Sequence, residues 1–88
     1  MTTMMQPRLT RRSTHTLDNT PIHVGDIVHL QPEHGPGIAA RVIYNTPFNG
    51  ATTYTTDLVS CMAENGRILK QRFRFRHEHV HRIESIRG

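Results

Sequence analysis

Arg67-Ile68-Leu69-Lys70-Gln71-Arg72-Phe73-Arg74-Phe75-Arg76 alternates basic with mostly apolar residues. A period of two is the pattern of a half-buried β-strand, whose successive side chains leave on opposite faces. Read this way, Lys70, Arg72, Arg74 and Arg76 line one face, and Leu69, Gln71, Phe73 and Phe75 line the other. The second face suits a core, and the first is a row of cations. Same-face neighbours on a strand lie about 6.6 Å apart, comparable to successive phosphates of an extended nucleic-acid strand or carboxylates of an acidic partner. The row is therefore a candidate surface for a periodic polyanion. Exposed charge on an edge strand also serves simply to block edge-to-edge aggregation.

Outward from this stretch, the signals are those of strands and turns. Residues 14–17 and 22–24, separated by Asp18-Asn19-Thr20-Pro21, read as a short hairpin. Gly25-Asp26 turns the chain into the β-rich Ile27-Val28-His29-Leu30. Pro32-Glu33-His34-Gly35-Pro36-Gly37 is a loop, because its prolines and glycines oppose both helix and ladder. Residues 38–45 form the next expected strand, with Ile38, Ala40, Val42 and Tyr44 on one face, and residues 46–50 a turn. Residues 51–62 are strand-like, and their inward face is open between Tyr54/Leu58 and Val59/Cys61. Asn65-Gly66 is the strongest hairpin signal and leads into the basic strand. Residues 77–79 are expected as a single helical turn and 80–86 as a last short strand. Residues 1–14 mix Thr, Met, Gln, Pro and Arg without periodicity and read as a flexible basic tail. Residues 15–88 then form one domain.

The 88-residue length allows a modest core and little room for a deep substrate pocket. Charge is unevenly placed: residues 1–17, 18–66 and 67–88 carry +3, −4 and +5, which make up the net +4. Ten of the eleven bases are arginine, the better residue for bidentate contact with phosphate or carboxylate and for stacking on rings. Cys61 is the single cysteine, which excludes an intramolecular disulfide and a zinc site built on several cysteines. A cytoplasmic location is the default expectation. No apolar run approaches a membrane span or a signal-peptide core.

Five to six short antiparallel strands joined by tight turns imply a small all-β barrel, since closure is how so few strands avoid open edges. Val24-Gly25-Asp26-Ile27-Val28-His29-Leu30, the turn His34-Gly35-Pro36-Gly37, the strand Ala40-Arg41-Val42 and the closing Phe75, His79, Val80 and Ile83 resemble the SH3-like barrel family. Within it they are most similar to KOW-type domains of ribosomal and transcription-elongation proteins and to small phage or plasmid proteins. Gly35 falls where a KOW motif has its glycine. The resemblance spans about residues 22–84 and implies a barrel with a helical turn at residues 77–79. It does not select a ligand, because such barrels bind RNA, DNA, peptides and RNA polymerase alike. Peptide grooves and aromatic cages need clustered aromatics, whereas Tyr44, Phe48, Tyr54, Phe73 and Phe75 are scattered, the last two toward the core.

His77-Glu78-His79-Val80-His81 is the one metal-like constellation. On a continuous strand its three imidazoles would share a face and suit zinc, but a helical turn would scatter them, and Val80 and Ile83 read as buried anchors. Ser60 and Cys61 supply nucleophiles without an adjacent base or orienting group, so no enzyme activity and no cofactor are expected. Type II dihydrofolate reductases are also short SH3-like barrels, but where their active surface rests on Val-Gln-Ile-Tyr this chain has Lys70-Gln71-Arg72-Phe73. The resulting expectation is a non-catalytic binding module. Lys70, Arg72, Arg74 and Arg76 would contact RNA or DNA with little sequence preference, Arg82 and Arg41 would extend the patch, and Arg8, Arg11 and Arg12 would act as a mobile arm. The alternative is a small accessory or inhibitor protein, of the kind phages and mobile elements encode. It would dock the same strand on an acidic host protein surface, such as that of RNA polymerase or a nuclease.

Overall fold

The alternating stretch does not stay in one sheet. In the computed structural model, which describes residues 6–62 and 66–85, it forms two strands, β5 (Ile68–Gln71) and β6 (Arg74–Arg76), with a break at Arg72 and Phe73. The fold is all-β. In chain order the strands are β1 (Ile27–Leu30), β2 (Ile38–Phe48), β3 (Ala51–Thr56), β4 (Val59–Met62), β5, β6 and, after a 3-10 turn at His77–His79, β7 (Val80–Glu84). Five of them make an antiparallel sheet in the order β6-β3-β2-β1-β7, while β4 and β5 pair as a separate two-stranded arm.

The break is held by Thr56 and Phe73, both fully buried. The Thr56 N–H donates to the Phe73 carbonyl, and the Phe73 N–H donates to Thr56 Oγ1, each at 2.9 Å. Thr56 Oγ1 in turn donates to the Asp57 carbonyl, so a hydroxyl inside the core has both its donor and an acceptor position used. The alternation survives the break, with Phe73 and Phe75 buried and Lys70, Arg72, Arg74 and Arg76 exposed. A similar break at Asp57 and Leu58 separates β3 from β4 and changes which residues turn inward. Tyr54 and Val59 pack against the core while Leu58 is exposed.

The core consists of Leu9, Ile22, Val28, Leu30, Ile38, Ala40, Val42, Phe73, Phe75 and Val80. Tyr54 stacks on Phe75 with ring centroids 5.4 Å apart, a favourable aromatic separation. Ile38, Ala40 and Val42 face inward as the alternation of β2 requires, but Tyr44 does not. Val42 lies opposite Thr56 and Tyr44 opposite Thr55, which leaves Ile43 as an extra residue on β2. Such a bulge re-aims the side chains beyond it, and Tyr44 is 62% exposed.

Three expectations are corrected. The 14–17/22–24 hairpin is absent, because residues 15–19 form turns and no strand. A closed barrel is not formed either, since β6 and β7 remain edges of an open sheet. On β6 the groups that a closing ladder would use are already taken. Arg74 donates its N–H to Gln6 Oε1 at 2.6 Å and accepts from Gln6 Nε2 at 2.7 Å, and the Arg76 N–H donates to His79 Nδ1 at 3.0 Å.

The N-terminal segment is also no flexible tail over its described residues. Residues 6–12 form a strap fastened to both sheet edges. The Thr10 N–H donates to the Gln31 carbonyl and the Glu33 N–H to the Arg8 carbonyl, with Leu9 buried between them. Arg12 is no mobile arm: its side chain is 7% exposed. Its Nη1 donates to the carbonyls of His77 (2.6 Å) and Val80 (2.9 Å), and its Nη2 to Asp18 Oδ1 (2.8 Å) and His77 Nδ1 (3.0 Å). Met1 to Met5 of the expected tail, Asn65 of the expected hairpin turn and Ile86 of the expected last strand lie outside the described residues.

Removing the strap's anchors should therefore unfold the domain more readily. Leu9→Ala should lower stability by about 2–4 kcal/mol through an unfilled core position. Arg12→Ala should lower it by about 1.5–3 kcal/mol by stranding buried carbonyls, and Arg12→Lys should not restore it, lacking the planar fork. Urea unfolding followed by circular dichroism checks all three. A wild-type midpoint in Leu9→Ala would show that the strap carries no stability.

Candidate nucleic-acid interface

Direct cross-strand partners in an antiparallel ladder share a face, so the registers locate each candidate side chain. Arg74 lies opposite Thr55, which lies opposite Tyr44; Arg76 lies opposite Thr53, which lies opposite Thr46. These six residues cover the outer face of the β2-β3-β6 half of the sheet. Neighbouring strands are about 4.8 Å apart, so Tyr44 sits roughly 10 Å across the face from Arg74, and Arg74 about 6.6 Å along the strand from Arg76. Lys70 and Arg72 are exposed and precede β6 in the chain, Lys70 on the arm opposite Ser60.

The other half of the sheet carries mixed charge. Arg82 lies opposite His29, and both Glu84 and Arg41 lie opposite Ile27. Glu84 Oε2 is 2.7 Å from His29 Nε2, and its other carboxylate oxygen is 3.8 Å from Arg82. The hydrogen bond from His29, aided by the charge of Arg82, holds the Glu84 carboxyl below its ordinary range. Arg82 is thus compensated on the β7 side of the sheet, whereas Arg41 stands on β2, the strand that also carries Tyr44.

Arginines at the N-terminal end are compensated too. Arg8 lies 4.0 Å from Glu33 and Arg11 3.3 Å from Glu78. Arg12 and His15 share Asp18, whose carboxyl is held below its ordinary value, most of all by the Arg12 hydrogen bond. Asp57 instead accepts the Leu58 N–H. Among the described residues, no carboxylate lies within 4 Å of Arg41, Lys70, Arg72, Arg74 or Arg76.

The three histidines of the expected cluster point to different partners. His77 Nε2 donates to the Thr20 carbonyl at 2.6 Å, which leaves Nδ1 to accept from Arg12. His79 Nδ1 accepts the Arg76 N–H, and His81 meets Thr10 at 3.1 Å. The 3-10 turn scatters the rings, and no cluster of three metal-ligating side chains occurs among the described residues. Two open depressions, of about 400 and 580 Å³, are lined by neither Tyr44 nor the arginines of β6. One lies beside His29, Gln31 and His81 and the other beside Arg8, Glu33 and His79. No helix among the described residues is long and apolar enough to cross a membrane.

Tyr44, Thr46, Thr53 and Thr55 belong to the arginine face although sequence reasoning did not place them there. Alternation assigns Tyr44 to the core, and the bulge at Ile43 appears only once β2 and β3 are paired. Comparison with known protein families, curated proteins and solved structures finds no match to this chain.

Burial holds the His79 imidazole below its ordinary value of 6.5, and its Nδ1 lone pair is needed by Arg76. The unfolded chain therefore binds the proton more readily than the folded one, so His79 contributes stability that is full above pH 6.5 and is lost as pH falls through the folded value. Asp18 adds a loss of the same sign below its ordinary 3.8. The urea midpoint should fall as pH is lowered from about 7 to about 5, and the His79 ring should titrate below 6.5 by NMR. A ring titrating above 6.5 would contradict the arrangement.

Proposed function

We propose that this chain is a non-catalytic binding module that holds nucleic acid on the outer face of β3 and β6, through Arg74 and Arg76 with Lys70 and Arg72 beside them. The observation that carries this reading is the segregation of charge. The described carboxylates are engaged by the strap, by histidines, by Arg82 or by the backbone, while these four cations stand exposed with none within 4 Å. An uncompensated cationic row attracts a polyanion and raises its local concentration. Guanidinium forks donate bidentately to phosphate oxygens, and threonine hydroxyls between the strands add donors. Contacts of this kind position the backbone and carry little sequence information. The fold belongs with SH3-like domains in this reading, which rests on the 3-10 turn at His77–His79 and on the two sheet edges that it joins. A lone cysteine and the absence of a long apolar helix among the described residues fit a cytoplasmic setting.

One observation favours a second reading, in which the same stretch docks on an acidic host protein. Ile68, beside Lys70 on the arm, is 71% exposed, and an apolar side chain within a basic surface suits a protein partner better than phosphate.

Fluorescence anisotropy with labelled single-stranded DNA, RNA and duplex tests the first reading. Roughly four phosphate contacts should give a log–log salt slope near −3 on single strands and near −4 on duplex. The variant Arg72→Ala/Arg74→Ala/Arg76→Ala should flatten the slope by about 2 to 3 and weaken unrelated sequences together. Absence of binding at low salt, with a protein pull-down that survives nuclease treatment, would establish the second reading instead.

A further inference from the structure

From the position of Tyr44 on the arginine face we infer that the ligand is single-stranded and that Tyr44 is the platform on which one of its bases stacks. This deepens the nucleic-acid reading above and depends on it. The bulge at Ile43 carries the argument. Without it Tyr44 would continue the inward series Ile38, Ala40, Val42; with it the ring leaves the core and stands 62% exposed in register with Thr55 and Arg74. An exposed tyrosine by itself means little, because single exposed apolar groups are common. Here the ring shares a face with two arginines that have no carboxylate within 4 Å among the described residues, and no carboxylate-bearing residue occupies the register positions between them.

The spacing fits a splayed strand. Two strand separations put the ring roughly 10 Å from the Arg74 position, a gap bridged by a nucleotide whose base lies on Tyr44 and whose phosphate reaches the guanidinium. The next phosphate then meets Arg76. A duplex keeps its bases stacked inside and offers this ring nothing but its grooves, whereas single strands present a π-face at every nucleotide. The remaining tyrosine, Tyr54, is stacked on Phe75 against the core and is not available. Thr53 and Thr55, between ring and arginines, are small enough to leave the path open.

The ligand probe is an oligothymidine of about 15 nucleotides, within the reach of small single-strand-binding domains, compared with a duplex of equal length. Tyr44→Ala should weaken oligothymidine binding by about tenfold or more, leave duplex binding within about twofold, and keep the wild-type urea midpoint because the ring is outside the core. Tyr44→Phe should retain affinity, since the ring face and not the hydroxyl is used. The chain has two tyrosines and no tryptophan, so tyrosine emission should be quenched by oligothymidine in the wild type and not in Tyr44→Phe. If Tyr44→Ala binds oligothymidine as the wild type does while Arg74→Ala/Arg76→Ala does not, the stacking platform is overturned and the nucleic-acid reading stands. If the wild type binds neither probe, the nucleic-acid reading fails and this inference fails with it.

Discussion

Two hydrogen bonds between Thr56 and Phe73 decide how the basic stretch is used. They close the gap between the arm and the main sheet with a side-chain oxygen in place of a backbone carbonyl, so the chain leaves one sheet and enters another without losing its alternation. Because both residues are fully buried, the exchange also seats Phe73 and Phe75 in the core, and Arg72, Arg74 and Arg76 are necessarily outside. The same contact fixes where β3 ends. That end sets Thr56 opposite Val42, and one residue earlier Thr55 faces Tyr44 on one side and Arg74 on the other. The composition of the outer face therefore follows from a contact made inside.

The strap performs a different task. A sheet with two free edges invites pairing with other chains, and β6 is an edge strand. Gln6 satisfies both backbone groups of Arg74 with one amide, and His79 accepts from Arg76. The edge is thus blunted without a further strand, and the arginine side chains remain outward. Arg12 meanwhile holds the turn that carries His79, so edge protection and turn geometry share one support. The acids that serve these contacts, Asp18, Glu33 and Glu78, sit with the strap and not on the β3-β6 face. Segregation of charge is a consequence of how the N-terminal segment is fastened.

Short-range patterns were legible in the sequence and long-range ones were not. Burial of Phe73 and Phe75 follows from a period of two, and the turn at His77–His79 and the anchor Val80 follow from the resemblance and from apolar spacing. Leu9, by contrast, is one apolar residue in a polar segment, with no periodicity to announce it, and its bridge partner Pro32 lies in a distant loop. The Arg12 contacts to His77 and Val80 join residues 65 and 68 positions apart, and arginine in a basic segment reads as solvated until the carbonyls around it are known. The bulge at Ile43 is hidden for another reason. One extra residue reverses every side chain after it, and only the partner strand shows where it falls. The closed barrel failed on the same ground, since the edge groups it needed were claimed by side chains whose positions no local pattern specifies.

The most direct test of the proposed interface is a map of amide chemical-shift changes in the ¹⁵N-labelled protein as single-stranded oligonucleotide is added at low salt. The account requires the changes to concentrate at Tyr44, Thr46, Thr53, Thr55, Arg74 and Arg76 and to fade as salt rises. Changes centred on His29, Arg82 and Glu84, or none at all, would contradict it.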